Sequence, residues 1–186
     1  MLNFQNKLLF IPAIAALSLS SCSDKADDPK KNEENELITS IHVHLKKAGG
    51  TITTMATWKD LTPDDASGRT IDTLFLEAST LYTGEIELKD ESKSPSIDIS
   101  AEVKTEATDH LFVYKQTPAA PVFFTVVRTD KDSKNLEIGL EYTLQTMAQK
   151  GITGLNIILR HQPGSKDGSE TPGDSDVDVV IPVVVR

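Results

Sequence analysis

From Val177 to Val185 every second residue is a branched aliphatic: Val177, Val179, Ile181, Val183 and Val185, with Asp176 and Asp178 alternating at the start. Side chains of an extended chain point alternately to two faces, whereas a helix would scatter this set around its circumference. The segment therefore predicts a strand with one buried face and, at its beginning, one wetted face. The same rhythm recurs in Ile41, Val43 and Leu45 against His42, His44 and Lys46, and in Ile86 and Leu88 against Glu85, Glu87 and Lys89. Further β-rich runs occupy 51–59, 71–78, 110–115, 122–128, 136–146 and 154–160. Gly49-Gly50, Thr83-Gly84, Pro118, Gly151 and Pro163-Gly164 punctuate them, as turn residues should.

About nine strands at this spacing, with no strand–long helix alternation, predict an all-β fold: an antiparallel β-sandwich of immunoglobulin- or transthyretin-like Greek-key type. One stretch departs from the pattern. Between 95 and 109, Ile99, Val103 and Ala107 recur every fourth residue among Glu102, Lys104 and Glu106. That is a short amphipathic helix, with Ser96 or Asp98 placed to cap its start. Pro182 lacks the N–H that a ladder needs, so it predicts an edge or a bulge in the last strand. Trp58, Tyr82, Phe123 and Phe124 read as sandwich core.

The first 21 residues have the layout of a secretory leader: Lys7, then an apolar run from Leu8 to Leu19, then Ser20-Ser21. The run is too short for the roughly 20 residues that a membrane-spanning helix needs. Leu19-Ser20-Ser21-Cys22 resembles a lipobox, with Cys22, the sole cysteine, as the lipidated first residue after cleavage. Residues 22–36 carry alanine as their only apolar type after Cys22 and read as a disordered tether, leaving 37–186 as one domain. With Cys22 acylated, no thiol remains for a disulfide or a thiolate metal site. The net charge of −9 argues against nucleic acid and against binding anionic lipid through a basic patch. The membrane partner is reached through acyl chains. Asp24, Asp27 and Asp28, soon after Cys22, resemble the export signal that sends some Bacteroidota lipoproteins to the cell surface, and that resemblance implies the outer membrane as the location.

Four histidines and several aspartates carry the candidate chemistry. His42 and His44, two apart on a strand, project from one face about 7 Å apart. Neutral imidazoles suit zinc or copper, but a third ligand must come from another strand. The competing reading is two polar residues on a wet face. If 154–160 and 176–185 form a hairpin across a turn at 163–173, His161 returns beside Asp174 and Asp176. Asp174, Asp176 and Asp178 alternate and so share one strand face, which suits either a cation or solubilising charge. His110 shares parity with Phe112 and Tyr114 and either completes a metal site or bonds within the core. The acidic loop 60–65 is interrupted by Thr62-Pro63. Gly-x-Ser-x-Gly, His-Glu-x-x-His, Gly-x-Gly-x-x-Gly and a phosphate loop are all absent from the sequence, so no enzyme is expected.

Several strings carry a wider likeness: Glu36-Leu37-Ile38-Thr39, Ala56-Thr57-Trp58-Lys59-Asp60-Leu61, Tyr82-Thr83-Gly84-Glu85-Ile86-Glu87-Leu88, the acidic approach to His110-Leu111-Phe112, and Leu159-Arg160-His161-Gln162-Pro163 through Gly173-Asp174-Ser175-Asp176-Val177-Asp178-Val179. With these the chain resembles short Bacteroidota lipoproteins often labelled "type 1 periplasmic binding fold superfamily". The resemblance implies a lipid-anchored binding protein accessory to nutrient or metal uptake, presenting a ligand to a TonB-dependent receptor. The alternative is a structural or adhesive envelope lipoprotein without a small ligand. The label's own fold needs two βαβ lobes with parallel sheets, for which this chain has neither length nor helices.

Overall fold

The computed structural model describes residues 36–62 and 66–186. The leader, Cys22 and all of the tether but Glu36 lie outside the described residues, as do Pro63, Asp64 and Asp65 of the acidic loop. The strands are β1 (Ser40–Lys47), β2 (Thr53–Lys59), β3 (Thr70–Ile71), β4 (Leu74–Leu76), β5 (Leu81–Asp90), β6 (Ile97–Asp98), β7 (His110–Thr117), β8 (Phe124–Arg128), β9 (Glu141–Thr146), β10 (Gly151–His161) and β11 (Asp174–Val185), with one helix, α1 (Ile99–Thr105). One sheet runs β3-β2-β1-β5-β9-β8 with β6 beside β5, and the other runs β4-β11-β10-β7.

The two sheets share one apolar core, filled by the alternating residues. Ile41, Val43 and Leu45 come from β1, Ile86 and Leu88 from β5, and Leu155, Ile157 and Leu159 from β10. Val177, Val179, Ile181, Val183 and Val185 face inward from β11. Trp58, Tyr82, Phe123 and Phe124 are buried in the same core. The fold is the expected antiparallel-dominated sandwich. Its strand count exceeds nine partly because the run 71–78 belongs to two sheets: β3 pairs with β2, while β4 pairs with β11 in parallel. The hairpin inferred for the C-terminal third forms, with Leu155 opposite Ile181 and His161 opposite Asp174.

Pro182 lies in a strand that is central by order, flanked by β10 and β4. The expectation of an edge holds locally, because β4 joins β11 only from Val183 onward. The helix is shorter than the 95–109 pattern. Asp98 is its N-cap, accepting from Ala101 N at 3.3 Å, and Glu106 closes its end by donating to the Glu102 carbonyl at 2.9 Å. Loss of such a cap costs about 1 kcal/mol. Ile99 and Val103 are buried, and Leu88 N donates to Ser100 Oγ at 2.6 Å, which docks the helix on β5. Each buried aliphatic contributes about 1.5–3 kcal/mol, enough to hold two turns that would not persist alone. Among the described residues no helix is long and apolar enough to cross a membrane.

Candidate metal centre

The ends of β7, β10 and β11 meet beside the C-terminal end of α1. His110 opens β7 and His161 closes β10, and the two are direct cross-strand partners. Their rings stack with centroids 4.8 Å apart and planes 8° from parallel. Both belong to the inward parity of their strands, continuous with Phe112 and Leu159, which are paired one step further along.

Asp176 reaches this pair through an irregularity. Leu159 faces Val177 and Arg160 faces Ser175, so Asp176 is an extra residue with no partner on β10. This is a β-bulge, which re-aims a side chain by inserting one residue. Strict alternation would put Asp176 outside with Asp178. Its carboxylate is instead 1 % exposed, with Oδ2 3.7 Å from His110 Nε2 and Oδ1 4.0 Å from His161 Nδ1. The expectation that Asp174, Asp176 and Asp178 share a face is therefore corrected. Asp178 is exposed and accepts a hydrogen bond from Asn156 Nδ2 at 2.6 Å, and Asp174 is exposed at the mouth of the hairpin.

The loop joining β10 to β11 holds this register. Gln162 N donates to the Asp109 carbonyl at 2.6 Å, and its side-chain amide donates to the Ser169 and Pro172 carbonyls. Arg160 donates to the carbonyls of Thr171, Pro172 and Gly173. Gly173 has φ +72°, and a Cβ there would lie 1.8 Å from the His161 carbonyl oxygen. Only glycine lets β11 begin so close to the end of β10. Lys166, on the same loop, buries its ammonium against Asp132 Oδ2 at 2.9 Å and the Ala107 carbonyl at 2.8 Å. It thereby ties the loop to the residue following Glu106.

The protonation pattern is set by geometry. His110 Nδ1 lies 3.1 Å from the Glu106 carbonyl oxygen, which can only accept, so Nδ1 carries the hydrogen. Burial holds the His110 pKa below its ordinary value, against that hydrogen bond. The neutral ring then turns the lone pair of Nε2 toward Asp176, whose two oxygens accept no hydrogen bond among the described residues. Burial pushes the Asp176 pKa up, and the His161 ring opposes that rise. Two acceptors, His110 Nε2 and Asp176 Oδ2, thus face each other at 3.7 Å. A cation, proton or metal, satisfies both.

Around a tetrahedral zinc ion ligand atoms stand about 3.4 Å apart, close to the spacings here. The backbone carbonyl on His110 Nδ1 is the partner that metal-bound histidines ordinarily have, fixing the tautomer and the ring. Nearly parallel imidazoles cannot both aim a lone pair at one ion, so binding turns one ring about χ2. His161 is the more exposed of the two, at 13 % against 1 %.

Two carboxylates escaped the sequence reading. Glu36 and Glu106 form a second group with His110, with ligand atoms within 4.8 Å of one another. Glu36 was expected to close the tether. It belongs instead to the folded body, with Oε2 buried and accepting no hydrogen bond among the described residues. Burial, then the charges of Glu102, Asp176 and Glu106, push its pKa up to about 7. The acidic composition of 22–36 hid it, the only cue being the apolar Leu37-Ile38 that follows.

His42 and His44 stand apart, on β1 of the other sheet. They share a face as expected, with rings 6.4 Å apart. Each has its own partners: His42 contacts Ser40 Oγ, Thr57 Oγ1 and Glu91, and His44 contacts Glu87. Among the described residues they join no group of three potential metal ligands. In comparisons with known proteins the chain matches no family model, no curated protein and no solved structure.

Proposed function

We propose that this protein is a lipid-anchored binding protein of the outer membrane. It captures a divalent transition-metal ion, zinc or copper, at His110, His161 and Asp176, and presents it to a TonB-dependent uptake receptor. The observation that carries the reading is the buried pair of facing acceptors, His110 Nε2 and Asp176 Oδ2, 3.7 Å apart. A cation there removes the cost of a buried carboxylate whose oxygens have no hydrogen-bond donor among the described residues, about 1–3 kcal/mol for one such group. Two imidazoles and one carboxylate suit either ion. The anchoring part rests on Leu19-Ser20-Ser21-Cys22 and the acidic tether behind it. Acyl chains contribute about 0.8 kcal/mol per buried methylene and confine the body near a receptor, where modest affinity suffices. The receptor itself rests on the family resemblance.

The test is calorimetric titration of zinc and of copper into the chain purified from its membrane and stripped with chelator. One ion binds per chain, and His161→Ala or Asp176→Ala abolishes the heat. Absence of heat from both ions at neutral pH removes the metal reading. Mass spectrometry that finds the Cys22 thiol free removes the anchor.

A further inference from the structure

We infer that Glu36 is the closing ligand of this centre, so that an ion held by His110, His161 and Asp176 also fixes the residue where the tether enters the folded body. The inference rests on the metal reading above and adds the donor that completes it.

Three observations support it. Glu36 and Asp176 belong to two donor groups that share His110, and the charge of Asp176 is felt at Glu36, so the two carboxylates flank one imidazole. Among the described residues Glu36 Oε2 is closed off from water and accepts no hydrogen bond, the same condition as both oxygens of Asp176. The Asp176 side chain is 1 % exposed, which distinguishes this arrangement from an ordinary cluster of surface acids. Glu106 has a different part. Its side chain is exposed, and its backbone carbonyl holds His110 Nδ1 at 3.1 Å, orienting the ring. Two imidazoles, Asp176 and Glu36 make the four donors that a tetrahedral zinc ion takes.

The position of Glu36 gives the ligand its consequence. Ile38 is buried, Thr39 N donates to the Lys89 carbonyl at 3.0 Å, and Thr39 Oγ1 accepts from Glu91 N at 2.7 Å. The chain is thus fastened from residue 38 onward whether or not an ion is present. Leu37 is exposed, and Glu36 precedes it. An ion on Glu36 adds a bond to the folded body two residues ahead of Ile38, and metal load becomes legible at the junction.

The experiment compares wild type, Glu36→Gln and His161→Ala, each as the full chain purified in detergent and stripped with chelator, with zinc as the probe. Glu36→Gln lowers zinc affinity by about tenfold or more, and zinc slows amide hydrogen exchange at Leu37 and Ile38 in wild type but not in the variant. Circular dichroism establishes that the variants are folded. If Glu36→Gln binds zinc as wild type does while His161→Ala fails to, the metal reading stands and the role of Glu36 is overturned. If zinc does not bind wild type, both fall. Unchanged exchange at Leu37 and Ile38 on zinc binding overturns the coupling to the junction.

Discussion

Replacing Asp176 by asparagine stabilises the metal-free protein. Wild type buries a carboxylate that accepts no hydrogen bond among the described residues, beside an imidazole nitrogen that offers only a lone pair. Leaving one buried polar group unsatisfied costs about 1–3 kcal/mol, more when it is charged. An amide in the same place gives His110 Nε2 a donor and removes the charge. For a chain of this size 1 kcal/mol shifts the melting temperature by roughly 2–4 °C, so Asp176→Asn melts about 2–12 °C above wild type in chelator. The sign depends on pH. The Asp176 pKa is raised in the folded state, so wild type loses stability as pH rises from the unfolded carboxylate pKa through the folded one. The variant's advantage is full above that window and vanishes in acid, where wild type is protonated. Zinc inverts the order. At a free concentration of 100 times Kd a bound ion adds about 2.7 kcal/mol to wild type and nothing to the variant. Thermal unfolding by circular dichroism, in chelator and in zinc, measures all of this. A variant that melts below wild type in chelator at neutral pH would refute the reasoning, because the carboxylate would then be a favourable partner of a protonated histidine pair.

Three further outcomes are expected. Lys166→Met strips the buried Asp132 of its counter-charge and costs about 3–5 kcal/mol in urea unfolding, whereas Lys47→Met, which breaks an exposed pair with Glu77, leaves the urea midpoint nearly unchanged; equal losses would contradict the burial argument. The hydrogen bonds from Lys59 and Ser40 hold the Glu91 pKa down to about 2. Its stabilisation is therefore present above the ordinary value of 4.5 and is lost as pH falls toward 2. Glu91→Gln flattens acid unfolding across that window by about 1 kcal/mol or less, given its exposure, and an unchanged acid profile would argue against the pair. The double change His42→Ala and His44→Ala leaves zinc affinity where it was, as read by competition with a chromophoric chelator, and a large loss would move the centre to the other sheet.

The strands were legible because burial on one face leaves a period of two that nothing else imitates, as in β1, β5 and β11. Asp98 was legible as a cap because its side chain stands at the start of a four-residue apolar rhythm. The chain's split between sheets at Asp72-Thr73 was not, since Ile71 and Leu74 look like one apolar run until pairing assigns them to different partners. His161 was placed beside Asp176 by the hairpin alone. That Asp176 points inward was hidden, because a bulge changes the parity of a residue without changing any residue type. Glu36 was misassigned for a related reason. Composition averages over a window, and one folded carboxylate at the end of an acidic tract does not alter the average.

The bulge makes the centre a matter of residue count. Deleting Ser175 would restore an uninterrupted ladder and set Asp176 opposite Arg160, on the outward side of β11. Both histidines and every aspartate would still be written in the chain, and the ion's cradle would be gone. Two chains alike at each of these positions but differing in length by one between Gly173 and Val177 would not share a metal site.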